Sequence, residues 1–146
     1  MEIVIKKMET EEEIRGKAYV HWKSWQEAYA GLVDTDYLAS RSLARCEERA
    51  RKWPDTWIAK DGERVVGFTV ACVCRDDNGV EIPDEGEVRA IYVLEEYQKR
   101  RIGYALMRYA LSILAGCRVV YVWVLQGNEK AIRFYERVGF RADGAV

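Results

Sequence analysis

One histidine and four cysteines are all that this 146-residue sequence holds of imidazole and thiol metal ligands, and it has only two prolines. His21 stands alone, and Cys46, Cys72, Cys74 and Cys117 lack the second ligand pair at suitable spacing that a zinc site needs, so no metal is expected. Cys72 and Cys74 lie two apart in an apolar run, share one strand face, and read as buried free thiols. No apolar run approaches the roughly 18 residues of a membrane span, so no membrane partner is expected. The first residues, Met1-Glu2-Ile3-Val4-Ile5-Lys6-Lys7, lack the layout of a signal peptide, and a cytoplasmic location is expected. Charge of one sign is also missing. Lys+Arg 23 against Asp+Glu 24 leaves a net charge of -1, which argues against nucleic acid as a partner. What is present is ordinary for a soluble globular chain: 49% hydrophobic and 32% charged residues, enough for one core and a single domain over residues 1–146.

Ile3 and Ile5 alternate with polar neighbours and predict a short first strand. Thr10 followed by Glu11, Glu12 and Glu13 predicts a helix start, with Ile14, Ala18, Trp22, Trp25 and Tyr29 as its apolar stripe. Gly31 stops it, and a second, highly charged helix is expected over 36–52. Asp61-Gly62 between two β-rich runs, 56–60 and 64–74, signals a hairpin. An acidic loop over 75–87, a strand over 87–93 and a helix over about 101–115 follow. The run 119–125 reads as a strand buried on both faces. Asn128 caps a last helix, Gly139 ends it, and Phe140 begins a final short strand. Strand 87–93 and strand 119–125 are joined through a helix and so pair in parallel, while the early hairpins are antiparallel. The expected class is α+β, a mixed sheet with helices on both faces.

The stretch Gln98-Lys99-Arg100-Arg101-Ile102-Gly103-Tyr104-Ala105 joins a strand to a helix with apolar positions at Ile102, Ala105, Leu106, Tyr109, Ala110 and Ile113. Free N–H groups at such a helix start, together with the helix dipole, make a place to hold phosphate. Together with a second stretch, Asn128-Glu129-Lys130-Ala131-Ile132-Arg133-Phe134-Tyr135-Glu136-Arg137-Val138-Gly139-Phe140, it resembles the GNAT superfamily of acyl-CoA-dependent N-acetyltransferases. The resemblance covers roughly residues 56–142. The first stretch is similar to the family pattern Gln/Arg-x-x-Gly-x-Gly/Ala, with Arg101 where the first glycine is expected. Arginine is compatible there if its φ is negative and its side chain points outward.

The resemblance implies a mostly antiparallel central sheet flanked by helices, a splayed parallel strand pair, and a C-terminal strand region shortened in this chain. A partner subunit, as in a homodimer, would cover the exposed edge, or the edge would be left short. It implies acetyl-CoA as co-substrate and an amine as acceptor, with transfer by direct attack in a ternary complex. The pantetheine arm would pair with backbone at Ile91 and Val93, flanking Tyr92. The pyrophosphate would sit on the N–H groups of residues 98–105 (Gln98, Lys99, Arg100, Arg101, Ile102, Gly103, Tyr104 and Ala105), and Asn128 would contact the arm from the other side. Tyr135 would protonate the leaving thiolate and also touch the cofactor; the alternative is a core aromatic, since it lies on the stripe Ala131, Phe134, Tyr135, Val138. Glu87 would be the general base, or else an exposed carboxylate at a strand end. Trp25 and Tyr29 are candidates for the acceptor site, against core packing with Trp22. His21 reads as a helix-surface or partly packed residue. The alternative function is a non-catalytic acyl-CoA-binding or sensor domain, motivated by Arg101 and the short end.

Overall fold

The computed structural model describes residues 2–29, 36, 42–52, 55–124 and 127–142. Along the chain run β1 (Ile3–Lys7), α1 (Glu11–Tyr29), α2 (Leu43–Lys52), β2 (Thr56–Asp61), β3 (Arg64–Arg75) and β4 (Glu81–Val93). A one-turn 3-10 helix (Glu95–Tyr97), α3 (Ile102–Ile113), β5 (Val119–Val122) and α4 (Glu129–Arg137) complete it. The strands form one sheet in the order β1-β2-β3-β4-β5, antiparallel except for the parallel pair β4–β5. The α+β class and the mixed sheet expected from the sequence are observed.

Helix α1 starts where Thr10 and Glu13 form a reciprocal capping box. The Glu13 N–H donates to Thr10 Oγ1 at 3.1 Å, and the Thr10 N–H donates to Glu13 Oε1 at 3.0 Å. Glu13 is buried and also accepts from Lys6 of β1 at 2.6 Å and Lys60 of β2 at 3.3 Å. One carboxylate therefore ties a helix start to two strands. Burial alone would push this carboxyl up. The Lys6 ammonium, the Thr10 and Glu9 N–H groups and Lys60 outweigh that and hold it at about 2.

The middle of the apolar stripe read along α1 meets a second helix rather than the sheet. Ala18 and Trp22 pack against Cys46 and Ala50 of α2, with Ile14 between that cluster and the main core. The sheet side of α1 carries Gly16, where an added Cβ would lie 2.6 Å from Val65 Cγ2, together with buried Lys17, Val20, His21 and Ser24. His21 is thus no surface residue: it stacks on Tyr92 and meets the Phe68 ring edge-on. Lys17 places its ammonium 4.6 Å from the Phe68 ring centre, and burial pushes its pKa down to about 8. A helix held between a sheet and a second helix has two inner faces, and an apolar stripe alone does not say which layer it meets.

Three expectations at the other end change. The acidic loop is short: residues 76–80 form the turn, where Asp76 Oδ1 accepts from the Asn78 and Val80 N–H groups, and residues 81–87 already belong to β4. Pairing with β3 and then also with β5 supplies the hydrogen bonds that override the low strand preference of these acids. β5 is shorter than expected and only half-buried, and Trp123 beyond it is 63% exposed. Among the described residues no strand pairs its outer edge. Phe140 starts no strand within the described residues; it folds back onto α4. Residues 37–41 of the expected second helix lie outside the described residues, as does the Tyr29 side chain.

Candidate active site

Strands β4 and β5 pair from Glu85↔Val119 to Val88↔Val122 and then part. The parting coincides with a local irregularity. Against β3, Val70 opposes Ala90 but Ala71 opposes Val88, so Arg89 is an extra residue, a β-bulge. A bulge bends its strand and increases its twist, and this one falls where β4–β5 pairing ends, just past Val88. Thr69 Oγ1 donates to the Ala90 carbonyl at 3.0 Å and fixes the backbone just past the bulge. Beyond it, Ile91 packs in the cluster under α3, Val93 Cγ2 faces Gly103, and Tyr92 points back toward α1. The edge of β4 over Ile91, Tyr92 and Val93 therefore has no β5 partner and can accept an extended ligand as a surrogate strand.

The gap runs from β4 to the start of α3. Lys99 (φ 65) and Arg101 (φ 63) are left-handed, and Arg101 caps α3 without a side-chain hydrogen bond. This corrects the expectation of a negative φ at Arg101. Alternation of right- and left-handed residues turns successive N–H groups toward one side, a concavity suited to an anion. The Gln98 N–H is bonded to the Glu95 carbonyl, and the Ala105 N–H to the Arg101 carbonyl. Those two donors are engaged within the protein, which leaves residues 99–104 as the candidates for facing an anion. Gly103 lies in the first turn of α3, where a Cβ would rest 3.6 Å from the Phe134 ring. The Arg100 guanidinium lies 5.1 Å from the Tyr97 ring centre, drawn to the same aromatic ring as Arg64. Left-handed backbone costs a non-glycine residue roughly 1–2 kcal/mol. Arg101→Gly should therefore raise stability by about 0.5–1 kcal/mol in urea unfolding, the remainder being offset by the entropy of glycine in the unfolded chain. A loss instead would mean that contacts of the arginine side chain outweigh its strain.

Helix α4 forms the far wall. Asn128 Oδ1 caps it by accepting from the Ala131 N–H at 3.3 Å. Its end is a Schellman turn: Gly139 is left-handed (φ 107), the Phe140 N–H reaches the Tyr135 carbonyl at 3.0 Å, and the Gly139 N–H reaches Glu136 at 3.1 Å. The hydrophobic contact that accompanies such a turn is Phe140 on Tyr135, edge-on at 6.0 Å; Phe134 meets the same ring at 5.6 Å. Tyr135 is thereby held in the cluster that contains Val88, Ile91 and Val122, the residues around the point where the strands part.

Glu87 lies one residue inside the closed end of the gap, between Cys72 on β3 and Tyr121 on β5. Its side chain is 19% exposed; Oε1 lies 3.4 Å from Arg89 Nη1 and accepts from Cys72 Sγ at 3.9 Å. Burial, and then the charge of Glu87, push the Cys72 thiol up, so it remains a neutral donor. Neither Arg89 nor Cys72 was singled out as a site residue from the sequence, although the spacing of two along β4 sets Arg89 near Glu87 and strand pairing sets Cys72 opposite it. Trp25 is half-buried on α1.

A strand edge left open beyond the parallel pair, beside a turn whose backbone could face an anion, suits an extended, anionic ligand. The comparisons with known proteins supply the family. The acetyltransferase (GNAT) family model matches residues 18–140, and the chain belongs to that family. It is 32% identical over 130 residues to the uncharacterized N-acetyltransferase YuaI of Bacillus subtilis, a match covering 86% of this chain and 73% of that protein. A probable N-acetyltransferase of Mycobacterium tuberculosis is 29% identical over 136 residues, covering 87% and 74% of the two chains. Among solved structures, the PaiA N-acetyltransferase of Thermoplasma acidophilum with coenzyme A superposes with a TM-score of 0.78 at 22% identity, over 100% of this chain and 94% of that one. An aminoglycoside N-acetyltransferase with CoA gives 0.74 at 15% identity, over 99% and 91%. The protein is an acetyltransferase of the GNAT family, and its fold is the one those enzymes share.

Proposed function

We propose that the protein transfers the acetyl group of acetyl-CoA to a primary amine, on a small molecule or a peptide, by direct attack within a ternary complex. The observation that carries this reading is the bulge at Arg89, where β4–β5 pairing ends, beside a turn whose N–H groups can hold the pyrophosphate. The pantetheine arm would lie along Ile91–Val93, with Asn128 opposite it; the amide NH2 of Asn128 is the donor to offer, since its carbonyl oxygen caps α4. An amine like that of lysine has a pKa of roughly 10.4, so forming its neutral state at pH 7 costs about 4–5 kcal/mol. Glu87, at the closed end of the gap, would take that proton, directly or through water. Tyr135 would protonate the leaving thiolate, and a backbone N–H near Ile91 would polarise the thioester carbonyl. The acceptor would approach from the α1 side, near Trp25 and Tyr29.

The experiment is an amine panel, spanning polyamines, aminoglycosides, amino acids and peptides, assayed by release of the CoA thiol. At least one amine should give release that depends on both substrates. CoA binding with no transfer to any of them would favour a sensor instead. With the best acceptor, Glu87→Gln should remove the acid limb of the pH–rate profile; a profile that keeps its shape would exclude Glu87 as base.

A further inference from the structure

We infer that Lys130, held in place by Gln98, is a cofactor-binding residue that neutralises the pyrophosphate from the α4 wall of the gap. This deepens the acetyl-CoA reading above and rests on it. Lys130 is in the first turn of α4, the end where the helix dipole favours acids and opposes a cation. A lysine there works against its own helix, a local cost that a bound anion would offset. The residue is exposed, and its ammonium donates to the side-chain oxygen of Gln98, in the turn that leads into residues 99–104. The same Gln98 amide donates from Nε2 to the Val93 carbonyl at 3.1 Å, so its oxygen faces α4 because its nitrogen is fixed on the end of β4. A neutral amide orients the cation without cancelling its charge. Among the described residues no carboxylate forms an ion pair with Lys130. By contrast, Arg100, the arginine expected to add charge, has its guanidinium over the Tyr97 ring. The two walls then divide the work: backbone N–H groups of residues 99–104 on one side, and one ammonium on the other.

Three ligands separate this role from any general effect on folding. Coenzyme A carries the pyrophosphate and a 3′-phosphate, dephospho-CoA carries the pyrophosphate alone, and pantetheine carries no phosphate. Calorimetry or NMR titration of wild type and Lys130→Met should show about tenfold weaker binding of both CoA and dephospho-CoA, with pantetheine unchanged. The variant should also show a shallower salt dependence of CoA binding. Lys130→Arg should restore most of the affinity, and Gln98→Ala should weaken CoA binding less than Lys130→Met does. Unchanged CoA affinity in Lys130→Met overturns the inference. So does an equal loss with pantetheine, and a loss confined to CoA would move the contact to the 3′-phosphate and equally exclude the pyrophosphate. If wild type binds none of the three ligands, the acetyl-CoA reading itself falls, an outcome distinct from a failure of Lys130.

Discussion

Replacing Tyr135 by phenylalanine should lower turnover by at least about a hundredfold while leaving the affinity for acetyl-CoA within a factor of about three. The substitution removes one oxygen and keeps the ring. The edge-on contacts with Phe134 and Phe140, and the Schellman turn that presents the ring, do not depend on that oxygen. What is lost is a donor to the departing sulfur. A thiolate of this kind has a pKa of roughly 8.5, so it leaves without a proton, but more slowly; positioned acids contribute roughly 10²–10⁴ in rate. A hundredfold corresponds to about 2.7 kcal/mol of transition-state stabilisation. The measurement is steady-state CoA release with the best acceptor, paired with calorimetric CoA binding. Undiminished turnover would remove Tyr135 as the acid and return it to the core-aromatic role that its helical spacing allows.

The second large effect is on stability. Glu13→Gln should destabilise the protein by about 3 kcal/mol near neutral pH, because its carboxylate is held at about 2 against an ordinary value of 4.5. The sign follows from proton binding. With the folded pKa depressed, the unfolded chain takes up the proton first. The stabilisation is complete above about pH 4.5 and is lost as pH falls toward 2. Denaturant titrations of wild type and variant should therefore differ most at pH 6–7 and converge as pH approaches 2. A constant difference across that range would assign the loss to packing and not to charge. Lys6 and Lys60 supply the partners, so the effect reports the tie between α1, β1 and β2, not the cap alone.

The parts of this molecule that were legible in sequence are those set by near neighbours. The capping box needs Thr10 and Glu13 three residues apart, the Asp61-Gly62 hairpin needs two residues, and the end of α4 needs Gly139 followed by Phe140. The two motif segments are likewise local, and they sufficed to place the chain in the family that its relatives and family match establish. The acids of residues 81–86 look like loop in sequence because their strand depends on two partners distant in sequence.

From residue types at short spacing, the sequence by itself determined the order of most elements, the α+β class and a candidate anion turn, while Tyr135 as candidate acid came from the resemblance of its motif to the family. Only the tertiary structure decided where β4 leaves β5. A bulge is a mismatch of register between two strands, and neither strand contains it alone. The same holds for the left-handed Arg101, for the polar face that α1 turns to the sheet, and for the link from Lys130 to Gln98, whose residues lie 32 apart. Each depends on which distant segment arrives opposite, and pairwise geometry of that range is fixed by packing the whole chain, not by any window of it.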